Sequence, residues 1–183
     1  ELIALAKARP GELNYSFGSV AGAPHLASEL FKSMAGVNIV HIMYRGNPPA
    51  LTALVSGEVQ MTILDVGLIM PHVKTGKLRA LAVTSAEPTT LAPGMPTVAA
   101  SGLPGYESTG LTGVFAPAKT PTPAVNRLNQ EIVRVLARAD IKEKFLSVGS
   151  EVISSTPEQF GAVVKADIAK LGKVIKDAGI KAE

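Results

Sequence analysis

Residues 13–45 read LNYSFGSVAGAPHLASELFKSMAGVNIVHIMYR, and the order of patterns in this stretch decides the fold. Leu13-Asn14-Tyr15-Ser16-Phe17 has the short apolar character of a strand. Small residues follow in Gly18-Ser19-Val20-Ala21-Gly22, the composition of a tight loop. Pro24 suits the first turn of a helix, and Leu26, Leu30, Phe31 and Met34 give that helix one apolar stripe. Gly36 supplies a stop, and Asn38 to Tyr44 is a second strand rich in β-branched residues. A strand, a crossover helix and a second strand within about 30 residues form a βαβ unit, which implies parallel pairing.

The alternation continues outward from this unit. Arg45-Gly46-Asn47 is a turn, Pro48 to Ser56 a short helix closed by Gly57, and Gln60 to Leu64 a third strand ending at Asp65. A helix is expected from about Gly67 to Thr75, stopped by Gly76, and a fourth strand at Leu78 to Val83. From Thr84 to Gly105 the chain turns proline-rich, and Tyr106 to Ala116 is an extended Gly/Thr-rich piece, read as an edge strand or as a strand crossing between two domains. Upstream, Leu2, Leu5 and Ala6 have helical spacing, so the numbering opens inside an amphipathic helix. The expectation is that sequence preceding Glu1 has been removed, which leaves export open.

The last third is helical. Thr122 is read as a cap with Pro123 in the first turn, and Val125, Leu128, Ile132, Val135 and Leu136 follow at helical spacing. A short helix spans Asp140 to Val148, Val152-Ile153 is a candidate strand, and Thr156-Pro157-Glu158 opens a final helix that ends near Gly179. These helices lack strands to cover, as though they belonged to a sheet contributed from elsewhere.

Composition narrows the function. Of 183 residues 46% are hydrophobic and 18% charged, an ordinary globular balance, and no apolar run approaches the roughly 18 residues of a membrane span. Without Cys there is no thiol chemistry and no thiolate metal site. The net charge of +3 is dispersed, and five Phe with three Tyr are too scattered for a stacking platform, so no nucleic acid is expected as a partner.

Candidate chemistry is sparse. Ser19, His25 and Asp65 are the residue types of a hydrolase triad, yet Phe17 breaks the G-x-S-x-G pattern around Ser19. No pair among His25, His41 and His72 has the spacing of a zinc helix, and His41 within its strand reads as a structural histidine. The loop at 18–22 is neither a dinucleotide fingerprint nor a P-loop, so no cofactor is expected. Its position between a strand's carboxyl end and a helix amino terminus nevertheless presents free N–H groups and a positive dipole end to an anion. The Tyr44-Arg45-Gly46 turn and Asp65 lie at the carboxyl ends of neighbouring strands, where open α/β sheets hold their ligands. Arg45 is suited to a carboxylate, and Asp65 to a ligand amine or hydroxyl or to capping the next helix.

The segments YSFGSVAGAPHLASE (15–29), HIMYRGNPPALTALVSGEVQ (41–60), MTILDVGLIMPHVKTGKLRALAVTS (61–85), MPTVAASGLPGYE (95–107), FAPAKTPTPAVNRLN (115–129) and the terminal AGIKAE together resemble the Bug-type substrate-binding proteins of tripartite tricarboxylate transporters. The resemblance spans essentially the whole chain, and the GKLRALAVTS and PTVAASGLPG blocks carry most of it. It implies an α/β fold like that of type II periplasmic binding proteins, present as one Rossmann-like parallel-sheet lobe plus C-terminal helices of the other lobe. Residues 1–107 would be the second lobe, 108–116 the hinge or crossing strand, and 117–183 the helical part of an amino-terminally incomplete first lobe. It further implies a periplasmic protein without catalytic residues, metal or cofactor, which captures a small organic carboxylate and passes it to membrane permease subunits. The resemblance implies ligand contacts at Ser19, Val20, Ala21, Gly22, Ala23, His25 and Asp65, and with Tyr44 and Arg45 from the strand-end turn and Thr109 from the crossing segment these are the candidate ligand residues. Val20 stands where family members carry smaller or polar residues, and Val66 where Asn or Gln is common, which implies a less polar pocket and a ligand with an apolar or aromatic part. The competing readings are an α/β hydrolase using Ser19 and His25, and a ligand-dependent partner of a signalling receptor. The uncovered apolar faces at 122–178 imply a dimer or swapped assembly of the fragment.

Overall fold

A computed structural model of the chain describes residues 1–180; positions 181–183, which complete the AGIKAE segment, lie outside the described residues. The chain divides into two compact units, one built from Glu1–Gly110 with the described residues from Lys173 onward, the other from Leu111–Gly172.

The first unit carries α1 (Leu2–Ala8), β1 (Asn14–Phe17), α2 (Ala23–Ala35), β2 (Val40–Met43), α3 (Asn47–Val55), β3 (Met61–Thr62) and α4 (Val66–Lys74). The strands form a parallel sheet in the order β2-β1-β3. β1 is central, and Tyr15, Ser16 and Phe17 are all buried, as expected of a parallel strand covered on both faces. A serine tolerates this burial because its Oγ donates to the Ala50 carbonyl at 2.9 Å, while Thr62 Oγ1 donates to the Ser16 carbonyl at 2.8 Å. Around the strand pack Ala6, Leu13, Phe31, Ala35, Val37, Ile39, Leu103 and Tyr106. The Tyr106 hydroxyl donates to the Ala27 carbonyl at 2.9 Å and ties the segment after the proline-rich stretch to α2.

α2 begins at Gly22 in extended conformation with Pro24 in the first turn and ends on Gly36 in the left-handed region. The Val37 N–H reaches back to the Lys32 carbonyl at 3.1 Å, which closes the C-terminus as a Schellman-type cap.

Four sequence expectations are corrected. Leu78–Val83 is not a strand; only Val83 pairs, in an isolated parallel bridge with Thr97. Leu-Arg-Ala-Leu-Ala offers no β-branched residue until Val83, and Leu81 is half exposed. Residues 106–116 form no ladder among the described residues; Ser108 N–H donates to the Thr84 carbonyl at 2.8 Å as a single link. Val152-Ile153 is irregular, with Ile153 exposed and unpaired as a strand. Thr122 is the first residue of its helix and not its cap, because the Pro121 carbonyl already accepts from the N–H groups of Ala124 and Val125.

The second unit contains α5 (Thr122–Leu136) and α6 (Ala139–Ser147), and most of α7 (Pro157–Asp177) lies in it. Thr156 and Gln159 cap α7 reciprocally, the Thr156 N–H donating to Gln159 Oε1 at 2.9 Å and the Gln159 N–H to Thr156 Oγ1 at 3.2 Å. Phe115 packs on Phe160, and the Phe160 ring covers the α-carbon of Gly113 so closely that a side chain there would overlap it. Among the described residues no helix is long and apolar enough to cross a membrane.

Candidate ligand-binding site

Because the three strands are parallel, the loops leaving their carboxyl ends share one edge of the sheet. Gly18–Gly22 follows β1, Tyr44–Gly46 follows β2, and Ile63–Asp65 follows β3. The first two loops are stitched together: the Tyr44 N–H donates to the Phe17 carbonyl and the Gly46 N–H to the Gly18 carbonyl, each at 2.9 Å. Gly18 is required at this seam, since a β-carbon would fall on the backbone of Gly46 and Asn47.

Within the first loop, Ser19 Oγ lies against the α-carbon of Gly22, and the Gly22 N–H donates to the Ser19 carbonyl at 3.2 Å. Ala21 has φ 56°, left-handed backbone that a side chain disfavours. Ser19, Ala21 and Ala23 are exposed, Gly22 is half-buried, and the half-buried Val20 rests on the core. At the start of α2 the N–H groups of Ala23 and His25 precede the first intrahelical bond, which runs from Leu26 to Gly22 at 3.0 Å. No side chain among the described residues caps this end, so its N–H groups and dipole are available to an anion.

The other expected residues divide. Arg45 and Asp65 are exposed on the same edge. Asp65 occupies the cap position of α4 without a side-chain capping bond, while its carbonyl accepts from Leu68 at 3.0 Å. Tyr44 turns toward α3, where it lines a shallow depression with Pro48, Pro49, Thr52 and Glu58. Its hydroxyl is shielded from solvent with no well-formed hydrogen bond among the described residues; burial, with Glu58 beside it, raises its pKa. Thr109 is exposed in the irregular segment before Gly110. The side chain of His25 points inward, 4% exposed, its ring stacked on Phe17 at 4.1 Å with planes 7° apart, and its Nδ1 accepts from the Ala21 N–H at 3.1 Å. Ser19 makes no hydrogen bond to His25 among the described residues, so the nucleophile–base pair of a hydrolase is not formed.

Beneath the loop lies a polar cluster that sequence reasoning missed. Glu29 Oε1 accepts from the Tyr15 hydroxyl at 2.6 Å and from Lys32 Nζ at 2.7 Å, and His41 Nδ1 stands 3.9 Å from the same oxygen. Ligand-type atoms of His25, Glu29 and His41 lie within 4.8 Å of one another, but the Lys32 ammonium already supplies the positive charge a cation would bring. Burial alone would raise the Glu29 pKa; the hydrogen bonds from Lys32 and Tyr15 and the Lys32 charge outweigh it and hold the carboxyl low. The Tyr15 phenol is raised by burial and by Glu29. His25 is lowered, chiefly by burial, against the pull of Glu29. The His25-x-x-x-Glu29 spacing on one helix face was the available signal. His41, expected to be structural within its strand, has a side chain that is 61% exposed, because β2 is an edge strand.

The family model described as the tripartite tricarboxylate transporter family receptor matches residues 1–180. The chain belongs to this receptor family. It is similar to BugT of Bordetella pertussis, 32% identical over 180 residues that cover 98% of this chain and 55% of BugT. Among solved structures it is similar to R. palustris Rpa4515 with adipate, with TM-score 0.86 and 37% identity over 98% of this chain and 60% of that one. It is also similar to the periplasmic binding protein BugD, with TM-score 0.79 and 27% identity over 100% of this chain and 62% of that one. The chain thus shares the α/β fold of the matched part of these proteins and spans about half the length of the curated relatives it matches.

Proposed function

We propose that this receptor is the ligand-capturing part of a periplasmic solute-binding protein that holds a small organic carboxylate and delivers it to the membrane permease subunits of a tripartite tricarboxylate-type transporter. The observation that carries the reading is the uncapped start of α2, whose N–H groups meet Arg45 and Asp65 on one sheet edge. The adipate bound by Rpa4515 supports the ligand class. In this reading residues 1–107 form the second lobe, 108–116 cross between lobes, and 117–183 complete the first lobe together with chain from outside this sequence. Ser19 to Ala23, the His25 backbone, Tyr44, Arg45, Asp65 and Thr109 lie around the ligand. Val20 and Val66 give the pocket an apolar wall, which favours a ligand whose carboxylates are separated by methylenes or a ring.

The test is calorimetric titration of the full-length protein with adipate, malate and a neutral diamide of adipate. Binding of adipate in preference to malate, with none of the diamide, is expected. Tight binding of malate alone would sink the apolar-wall reading, and binding of the diamide would sink the carboxylate reading.

A second reading concerns assembly. Leu128 and Val135 of α5, with Phe145 and Leu146 of α6, are exposed apolar side chains, so the chain of residues 1–183 self-associates as a dimer or swapped pair.

A further inference from the structure

We propose that His25 is a positioning residue: its bare Nδ1 holds the Ala21 N–H, and through it the shape of the Ser19–Gly22 loop, so that ligand affinity depends on the imidazole remaining neutral. The proposal rests on the carboxylate-binding reading above.

Ala21 is the one non-glycine residue with positive φ among the described residues, and it sits in the loop that faces the ligand edge. Something must hold it there, and its N–H is held by His25 at 3.1 Å. A neutral imidazole that accepts at Nδ1 carries its proton on Nε2. An imidazolium carries N–H at both nitrogens, so Nδ1–H would confront the Ala21 N–H, donor against donor, and the contact would open. The ring cannot swing aside, because it is stacked flat on Phe17 and buried.

The groups around the ring are Tyr15 from β1, Glu29 and Lys32 from α2, and His41 from β2. Tyr15 and Lys32 both donate to Glu29 and neutralise much of its pull on an imidazolium. His41 and Lys32 oppose a positive charge at residue 25, and burial opposes it most. The cluster thus keeps His25 in the form that can hold the loop. This assigns a purpose to the Tyr15–Glu29–Lys32 network beneath the loop.

The experiment combines two variants with a ligand-independent signal. His25→Asn places an amide oxygen near the Nδ1 position; His25→Phe keeps the stack on Phe17 and removes the acceptor. With adipate as probe at pH 7.5, His25→Phe is expected to weaken binding about tenfold, one lost positioning hydrogen bond, and His25→Asn to stay within about threefold of the parent. The Ala21 amide resonance of the parent is expected to shift with pH together with the His25 ring, and to lose that titration in His25→Asn. Equal losses in both variants, or full affinity in folded His25→Phe, would overturn the proposal. So would an Ala21 amide that stays still while His25 titrates. Should His25→Phe fail to fold, the amide titration and His25→Asn decide. Should the parent not bind adipate, the function reading fails at that ligand, while the amide titration still decides the role of His25.

Discussion

The α-carbon of Gly18 lies against the backbone nitrogen of Asn47, which leaves no room for a β-carbon between the loops that leave β1 and β2. Gly18→Ala therefore has to part these loops and break the Gly46-to-Gly18 hydrogen bond at 2.9 Å. The expected outcome is a loss of about 1–3 kcal/mol by urea unfolding, the range for overpacking, and loss of adipate binding beyond that stability effect. Gly36→Ala, with open space around the α-carbon, strains only the helix end and leaves binding intact.

Tyr15 donates its hydroxyl to a buried, charged Glu29. Tyr15→Phe is expected to destabilise by about 1–3 kcal/mol, because it leaves a carboxylate short of a donor. Tyr106→Phe removes a bond to the neutral Ala27 carbonyl and is expected to lose about 1 kcal/mol. Equilibrium urea unfolding of the two variants ranks them, and equal losses would argue against a charged Glu29.

Stability should decline in acid in two limbs. His25 has a lowered folded pKa, so below about pH 6.5 the unfolded chain takes up a proton that the folded chain resists. Its contribution is whole above that pH and is lost as pH falls toward the lowered folded value. Glu29 is also lowered, so its contribution is present above the ordinary glutamate range and is lost as pH falls through its folded value. Unfolding midpoints from pH 8 to 2 should be flat at first, then fall. His25→Asn should remove the upper limb and keep the lower one.

Arg45 and Asp65 are exposed at the carboxyl edge of the sheet, and among the described residues neither side chain caps a helix. Arg45→Ala and Asp65→Ala are each expected to change stability by no more than about 0.5 kcal/mol. Arg45→Ala is expected to weaken adipate binding about tenfold through loss of one charge-assisted contact. Paired thermal melts and calorimetry check both halves.

The exposed apolar residues of α5 predict association of the 183-residue chain. Light scattering during size exclusion is expected to show a dimer mass at high concentration. Leu128→Gln with Val135→Gln should shift it toward monomer without loss of helicity.

Much of the sheet unit was legible in sequence. β1, α2, β2 and α3 could be placed because Gly and Pro punctuate a change of period from two to 3.6 residues. The strand expected at 78–83 failed because a strand needs an adjoining edge as well as apolar residues, and only Val83 finds one. The loop at residues 18–22 was readable as the connection between a strand and a helix. The network beneath it was not, because Tyr15 and His41 come together only through the β1–β2 register, which pairs these two residues.

Sequence by itself determined the βαβ alternation, the glycine and proline boundaries, the lack of thiol chemistry and the family resemblance, since these depend on local spacing and residue type. Tertiary structure decided which way each side chain faces. It turned His25 inward onto Phe17, drew Tyr44 toward α3, left Asp65 uncapping, and gathered Glu29, Lys32, Tyr15 and His41 under Ala21. Those outcomes follow from burial, register and hydrogen-bond satisfaction among residues distant in the chain, which no local pattern encodes.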